Sequence, residues 1–380
     1  MTADGFKEGA FPNQYIERLI SSGYVKSKTP ISPDRIQPSS LDLSVSNRCW
    51  LLPASIRPEM TEKVVDLIEK YSIQAINLET DILIKGQTYI VELNESLELP
   101  KNISARVNTK SSLGRIDGWV RVITDLNEQF DVIKSGYKGK LFALIVPGSF
   151  HFKIPVNTSL NQIRFFNNNS FLDSEELKKL HKEKTLLYDS DGKPMKNIDR
   201  YIKDNCLIVP LDLTLNIVGY IPKNSLEPID LGKKHFYEPE HFWSAVYKGK
   251  NDELFLKAGV FYLLMSYKVS IPPEYAAEMM PFDESYGDLR THYAGFFDPG
   301  FGYGKEGEVQ GNAAVLEVRG FNHDVIARDG TAICLFKFEK LSERATKIYG
   351  EGSNYGEQKG INIAKFFKPF RKGQELKDYF

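Results

Sequence analysis

The chain has 380 residues, 42% of them apolar, and its 49 basic and 50 acidic side chains leave a formal net charge of −1. That length suits two domains with well-formed cores, and the charge balance weighs against a strongly basic nucleic-acid binder. Three cysteines, Cys49, Cys206 and Cys334, are odd in number and far apart, which argues against a disulfide framework and fits a reducing, cytoplasmic compartment. The opening MTADGFKEGAFPNQ has no apolar signal core, and no apolar run approaches the about 18 residues of a membrane span, so no membrane partner is expected.

In chain order, the spacing first predicts a helix over 14–22, QYIERLISS, running up to Gly23. Residues 37–47, QPSSLDLSVSN, read as an alternating strand with Asp42 inside it. A second helix is expected over 61–71, with Val64, Val65, Ile68 and Tyr71 as its apolar positions. Residues 83–100, LIKGQTYIVELNESLELP, give a strand, a Gly turn, an alternating strand and a Leu-Pro stop, and ISARV (103–107) follows. A third helix is expected over 174–184, SEELKKLHKEK, with Ser174 as its N-cap, acids early and bases late. The turn formers in YDSDGKPMKN (188–197) mark the expected boundary region, 185–205.

The pattern then returns. PLDLTLN (210–216) again sets an Asp, Asp212, inside a short alternating stretch. Residues 254–272, LFLKAGVFYLLMSYKVSIP, again give strand, Gly turn, strand and Ile-Pro stop, and YAAEM (275–279) follows at the matching distance. Three coincidences in the same order predict a tandem duplication, with domains over 1–200 and 201–380. Many short strands punctuated by Gly, Pro, Asn and Asp, with few helices, predict a mainly β protein. The expected architecture is two β-barrel or jelly-roll-type domains with a few peripheral helices.

Several chemistries lack their residues. Zinc-dependent deamination needs an H-x-E with P-C-x-x-C, and none of the six histidines is spaced with a cysteine in that way, so no zinc and no other protein-held metal is expected. The Gly-rich GFGYGKEGE (300–308) has Glu306 after Lys305, where a phosphate-binding Walker loop needs Ser or Thr, and reads instead as a long hairpin loop. No G-x-S-x-G elbow supports a hydrolase triad. Three stretches remain. KSSLGR (110–115) places adjacent hydroxyls three residues before Arg115, which suits an anion but also an ordinary surface loop. HYAGFFDPGFG (292–302) puts small residues before an Asp-Pro-Gly turn, so backbone can approach a ligand. In VLEVRG (315–320), Val315, Glu317 and Arg319 share one strand face and Leu316 and Val318 the other. Glu317 then points either into a site or into solvent.

Together these pieces resemble the dCTP deaminase branch of the dUTPase-like superfamily. That branch carries Q-P-x-S-x-D-L, R-S-S-L-x-R, T-A-G-x-x-D-P-G-F, T-L-E and a C-terminal Y…K-Y-x-x-Q in this order. The chain has QPSSLDL (37–43), KSSLGR (110–115), YAGFFDPGF (293–301), VLE (315–317) and YGEGSNYGEQKG (349–360). The opening NQYIERLISSGYV is similar to the family's N-terminal helix, and two copies cover nearly the whole chain, as in fused, double-length bacterial members.

The resemblance implies two tandem dUTPase-like domains and hydrolysis of dCTP to dUTP and ammonia without zinc. It makes Glu317 the proton shuttle. Ser111, Ser112 and Arg115 would hold phosphate oxygens, and the Ala294 carbonyl would orient the water. Asp298 would stand in the substrate turn, and Tyr349, Tyr355 and Gln358 would close over the base. The triphosphate would arrive with Mg²⁺, and the active form would be a homo-oligomer, a trimer by preference. The departures divide the labour. Counted along GYKGKLFALIVP (136–147), the Glu position of the first copy falls on Leu144. The second copy has Asp283-Glu284 where the paired serines belong, and two carboxylates repel a triphosphate. The first copy therefore keeps the phosphate segment and the second the carboxylate. Asn354 stands where the family pattern has Lys. A bifunctional deaminase and dUTP diphosphatase, a plain dUTPase, and a non-catalytic nucleotide-binding assembly protein are the alternatives.

Overall fold

The computed structural model describes residues 5–168, 170–280, 289–291, 295–320, 322–350 and 360–369. They form two compact units. Unit 1 takes Met1–Ser170, Ser225–Lys234 and Leu341–Thr346, and unit 2 takes Phe171–Asn224, His235–Lys340 and Lys347–Phe380. The turn formers at 188–197 do not separate the two. Tyr188 bridges to Pro194 and Asp189 N–H donates to the Lys193 carbonyl at 2.9 Å, so they close a tight turn inside unit 2.

The principal strands of unit 1 are β1 (Val25–Ser27), β2 (Ser40–Leu52), β3 (Thr88–Glu98), β4 (Ile103–Thr109), β5 (Gly118–Ile123), β6 (Lys138–Pro147) and β7 (Ser159–Asn167). They belong to one sheet in the order β5-β6-β3-β2-β7-β4, with β1 on β3. The 13-residue β2 bends this sheet. Its first part pairs with β7 from Leu41 to Ser44, and its last part pairs with β3 from Cys49 to Leu52, with a register shift between Val45 and Cys49. Alternation then sorts the residues. Val91 and Leu93 of β3 and Ala143 and Ile145 of β6 share one face, Ile90, Glu92, Phe142 and Leu144 the other, and all eight are buried.

Unit 2 holds β8 (Cys206–Pro210), β9 (Ile217–Pro222), β10 (Trp243–Tyr247), β11 (Phe261–Val269), β12 (Tyr275–Met280), β13 (Asn312–Gly320) and β14 (Ala332–Lys340). One sheet runs β10-β9-β11-β13 and a second runs β8-β14-β12. Leu264, Leu316 and Val318 of the first sheet and Leu207, Phe336 and Phe338 of the second share one hydrophobic core. Asp212 lies two residues beyond the end of β8 rather than inside a strand.

The helices are α1 (Asn13–Ser21), α2 (Val64–Tyr71), the single turn α3 (Ser111–Gly114) and α4 (Ser174–Lys184). The cap of α4 is Asp173, not Ser174. The Asp173 carboxylate accepts the Glu176 N–H at 2.8 Å and Glu176 returns to the Asp173 N–H at 2.9 Å, a reciprocal box closed to Ser174, whose residue three positions on is Leu177. The duplication shows in one repeated detail. Before β3, the Ile84 N–H donates to the Tyr89 hydroxyl at 2.8 Å, and before β11, the Lys257 N–H donates to the Tyr262 hydroxyl at 2.9 Å. Each tyrosine ties down the Gly turn that precedes its strand.

Candidate active site

In unit 1 the KSSLGR segment follows β4 as one helical turn. Lys110 is its N-cap, and its carbonyl accepts the N–H of Leu113 at 2.8 Å and of Gly114 at 3.1 Å. Ser111 is exposed, whereas Ser112 and Arg115 are buried. Lys110 is drawn into an ion pair with Asp42, whose carboxylate also accepts Gln162 Nε2 at 3.2 Å. Gln37 Nε2 lies 3.5 Å from the same carboxylate. The structure thus joins QPSSLDL to KSSLGR: the aspartate of the first motif fixes the leading cation of the second. Behind the turn, Ser149 Oγ donates to Asp117 at 2.6 Å. The loop is a positioned element of the fold, with Arg115 buried just after its helical turn.

In unit 2 the second set of residues centres on β13. Leu316 and Val318 enter the core, and Glu317 lies on the opposite face with Val315, only 4% exposed. Its register partner on β11 is Leu263. Arg319, on the same face, donates from Nη1 to the Gly259 carbonyl at 2.6 Å. The charge on Glu317 reaches Cys334 on β14, where burial first and that charge second push the thiol above its ordinary range. The three cysteines are buried free thiols.

The Asp-Pro-Gly turn sits beside β13. Its Asp298 carbonyl accepts the Phe301 N–H at 3.1 Å, and the Gly300 N–H donates to Ile271 at 2.9 Å. Gly302 has φ +61°, and a side chain there would run into the Val269 carbonyl and the Asn312 nitrogen, so the turn lies against the ends of β11 and β13 only because that residue is glycine. Tyr349 docks on this turn: its N–H donates to the Pro299 carbonyl at 2.8 Å, and its ring meets Phe301 edge-on with centroids 5.0 Å apart. The structure therefore brings Asp298 and Tyr349 together. A cavity of about 650 Å³ opens there, lined by Gly300, Tyr349, Asn312, Asp212 and Lys268 among others. Lys268, within β11, carries no spacing signal in the sequence, and Asp212, expected inside a strand, lines this cavity instead.

The glycine-rich 300–308 loop is no phosphate cradle. The Glu308 carboxylate accepts the N–H groups of Lys305 and Glu306, both at 2.8 Å, and these backbone donors hold it at a pKa of about 2. Its own acid takes the donors a phosphate would need. Ala294, Tyr355, Gln358, Asp283 and Glu284 lie outside the described residues. Among the described residues no group of three or more His, Cys, Asp or Glu is placed to hold a metal ion, and no helix is long and apolar enough to cross a membrane.

These two units make a duplicated, mainly β protein of barrel-like sheets, with a buried strand carboxylate and an Asp-Pro-Gly turn in its second unit. The comparisons narrow that description. Residues 7–169 match the model of the 2'-deoxycytidine 5'-triphosphate deaminase N-terminal domain, and residues 173–367 that of the C-terminal domain. The crystal structure of 2'-deoxycytidine 5'-triphosphate deaminase from Agrobacterium tumefaciens superimposes with a TM-score of 0.82 at 34% identity, over 91% of this chain and 99% of that one. The chain belongs to the 2'-deoxycytidine 5'-triphosphate deaminase family, in its double-length form. It is also similar to two proteins named "dCTP deaminase, dUMP-forming". That of Methanosphaerula palustris is 33% identical over 113 residues, 27% of this chain and 56% of that protein. That of Methanospirillum hungatei is 29% identical over 125 residues, 32% of this chain and 61% of that protein. The match thus spans less than two thirds of these curated relatives.

Proposed function

We propose that this chain removes the 4-amino group of dCTP by hydrolysis, with Glu317 as the proton shuttle. The observation that carries the reading is a carboxylate only 4% exposed, set on the non-core face of β13, the strand whose first residue, Asn312, lies against the Asp-Pro-Gly segment. A carboxylate on such a face has no packing reason to be there. The water oxygen bonds to C4, and Glu317 takes the water proton. That proton and a second one pass to the ring nitrogen and the leaving amine, the C4–N bond breaks, and ammonia departs. A positioned acid/base of this kind contributes roughly 10²–10⁴-fold. The Ala294 carbonyl orients the water, while Ser111, Ser112 and Arg115 hold phosphate oxygens through charge-assisted hydrogen bonds. Asp298 keeps the substrate turn in shape, and Tyr349, Tyr355 and Gln358 close over the base. Mg²⁺ enters as part of the triphosphate substrate. The sequence spacing offers no zinc ligand set, so the proton work falls to the carboxylate.

The test is ammonia release from dCTP by the wild-type chain and by Glu317→Gln. Release that survives the substitution refutes the assignment. A second reading has one observation behind it: the relatives named above are dUMP-forming. Pyrophosphate released in step with ammonia identifies a bifunctional enzyme, and ammonia alone identifies dUTP as the product. We further propose a homo-oligomer, a trimer by preference, to be measured by light scattering. Mixing Arg115→Ala chains with Glu317→Gln chains asks whether the phosphate segment and the carboxylate serve one reaction across chains, since regained activity requires it.

A further inference from the structure

The same sheet face of unit 1 carries a cluster that the deamination does not use. Lys28 Nζ and Lys140 Nζ lie 2.7 and 3.1 Å from Glu92 Oε1, and Arg48 Nη1 lies 2.8 Å from Glu92 Oε2. They come from three different places in the chain: the end of the β1 segment, β2 and β6. Glu92 is fully buried, whereas the three cations are each about half exposed. Burial works to raise the Glu92 pKa, but the hydrogen bonds and charges of Lys28 and Lys140 hold it below the ordinary carboxylate value. It is therefore an anion at neutral pH.

One carboxylate neutralises one cation. Two positive charges remain, and three like charges held around two oxygens repel one another. Each cation spends only part of its donor capacity on Glu92, since an ammonium has three N–H donors and a guanidinium five. The two lysines hydrogen-bond or pair with Oε1, whereas Arg48 meets Oε2 as an ion pair without a hydrogen bond, and all three heads are about half exposed, with donors left over. Arg48 is further steadied by the Trp50 ring, 5.1 Å from its guanidinium carbon. A doubly charged tetrahedral oxyanion matches that charge and geometry. The neighbouring Glu98 makes a contrast: Lys26 and Lys138 approach it at 2.7 and 3.5 Å, but this carboxylate is itself half exposed.

We propose that Lys28, Arg48 and Lys140, paired with Glu92, form an anion site that takes a phosphate group, built from residues separate from those of the deamination. Its source is either free inorganic phosphate or pyrophosphate, or the phosphate end of a nucleotide. Calorimetric titration of the full chain with inorganic pyrophosphate tests it. Arg48→Gln leaves Glu92 paired with both lysines, so the fold survives, and pyrophosphate binding should weaken about tenfold, the equivalent of about 1.4 kcal/mol. Lys28→Gln with Lys140→Gln should weaken it about a hundredfold. The Lys26→Gln/Lys138→Gln pair should change it less than twofold, and dCTP deamination at saturating substrate should be unaltered in all three. Equal weakening by both lysine pairs would reduce the site to a diffuse positive field and overturn the proposal, as would unchanged binding in Arg48→Gln. ATP should bind with the affinity of pyrophosphate and compete with it; uptake of ATP without pyrophosphate would refute recognition by phosphate alone. Failure here leaves the deamination reading standing, because ammonia release depends on none of these residues.

Discussion

Where β13 of unit 2 carries Glu317, β6 of unit 1 carries Leu144. The two strands are laid out alike. Leu144 faces Ile90 across the ladder, as Glu317 faces Leu263, and Phe142 faces Glu92, as Val315 faces Met265. What differs is what covers that face. In unit 1, α2 lays Val64 and Ile68 over it, and these close a second apolar cluster with Leu52, Ile90, Ile123, Phe142 and Leu144. At the register position that holds Glu317 in unit 2, unit 1 thus holds a leucine packed under a helix. Each copy still buries one acid on this face, at positions one pair apart. Glu92 is surrounded by cations, and Glu317 lies mid-strand opposite Leu263.

The largest effect that could break this comparison lies at Glu317. Replacing it with Gln keeps size and hydrogen bonding but removes the proton shuttle, so kcat for ammonia release should fall by at least about 10². A variant that retains more than about a tenth of wild-type turnover would remove the functional half of the contrast. The reciprocal change is Leu144→Glu. It should create no activity and should cost about 3 kcal/mol, because the new charge is buried among Val64, Ile68 and Phe142, and its cross-strand neighbour Arg121 is already paired with Asp131. Denaturant unfolding reads the loss, and a mild effect would mean that α2 yields easily.

Much of this was legible in the sequence. The Gly turn before each alternating strand revealed the duplication, and period-two alternation placed Glu317 opposite Leu316 and Val318 before any coordinates. The seal over Leu144 was not legible. The 61–71 helix shows an apolar face, but periodicity says only that the face is covered, not which strand covers it. The Lys110–Asp42 pair escaped for the same reason: partners 68 residues apart in sequence meet only once β2, β4 and β7 are side by side. The cap of α4 was misplaced by one residue because Asp173 and Ser174 are both good cap formers, and only the Glu176 return contact decides between them.

The next effect sharpens the role of the unit 1 loop. Arg115→Ala should weaken dCTP binding by about 1.5–3 kcal/mol, the worth of a hydrogen bond to a charged group, and leave deoxycytidine binding nearly unchanged. Equal losses for nucleotide and nucleoside would show that Arg115 supports the fold and does not grip phosphate. Smaller again are the paired tyrosines. Tyr89→Phe and Tyr262→Phe each remove the acceptor for one turn N–H, and each should cost about 1 kcal/mol. Tyr89 also donates to Gln87 at 2.7 Å, so its variant should be the worse of the two. The reverse order would mean that the two turns are not equivalent.

The smallest effect separates the units by pH. In unit 2 the His181 ring donates from Nε2 to the Met195 carbonyl at 2.9 Å and accepts the Leu186 N–H on Nδ1 at 3.1 Å. Both nitrogens are used by the neutral form. A proton on Nδ1 would confront the Leu186 N–H, and burial, partly offset by the Met195 bond, already pushes the pKa below 6.5. Above about pH 6.5 the ring is neutral whether folded or not, and its contribution is fully present. Below that value the unfolded chain takes up a proton that the folded chain resists, so stability falls as pH falls towards the folded pKa. The melting of unit 2 should therefore move down between pH 7 and pH 5, and His181→Gln should flatten that slope, because glutamine carries no titrating group. A slope unchanged in the variant would assign the acid sensitivity to other groups and leave His181 as a purely structural link between α4 and the 185–195 segment.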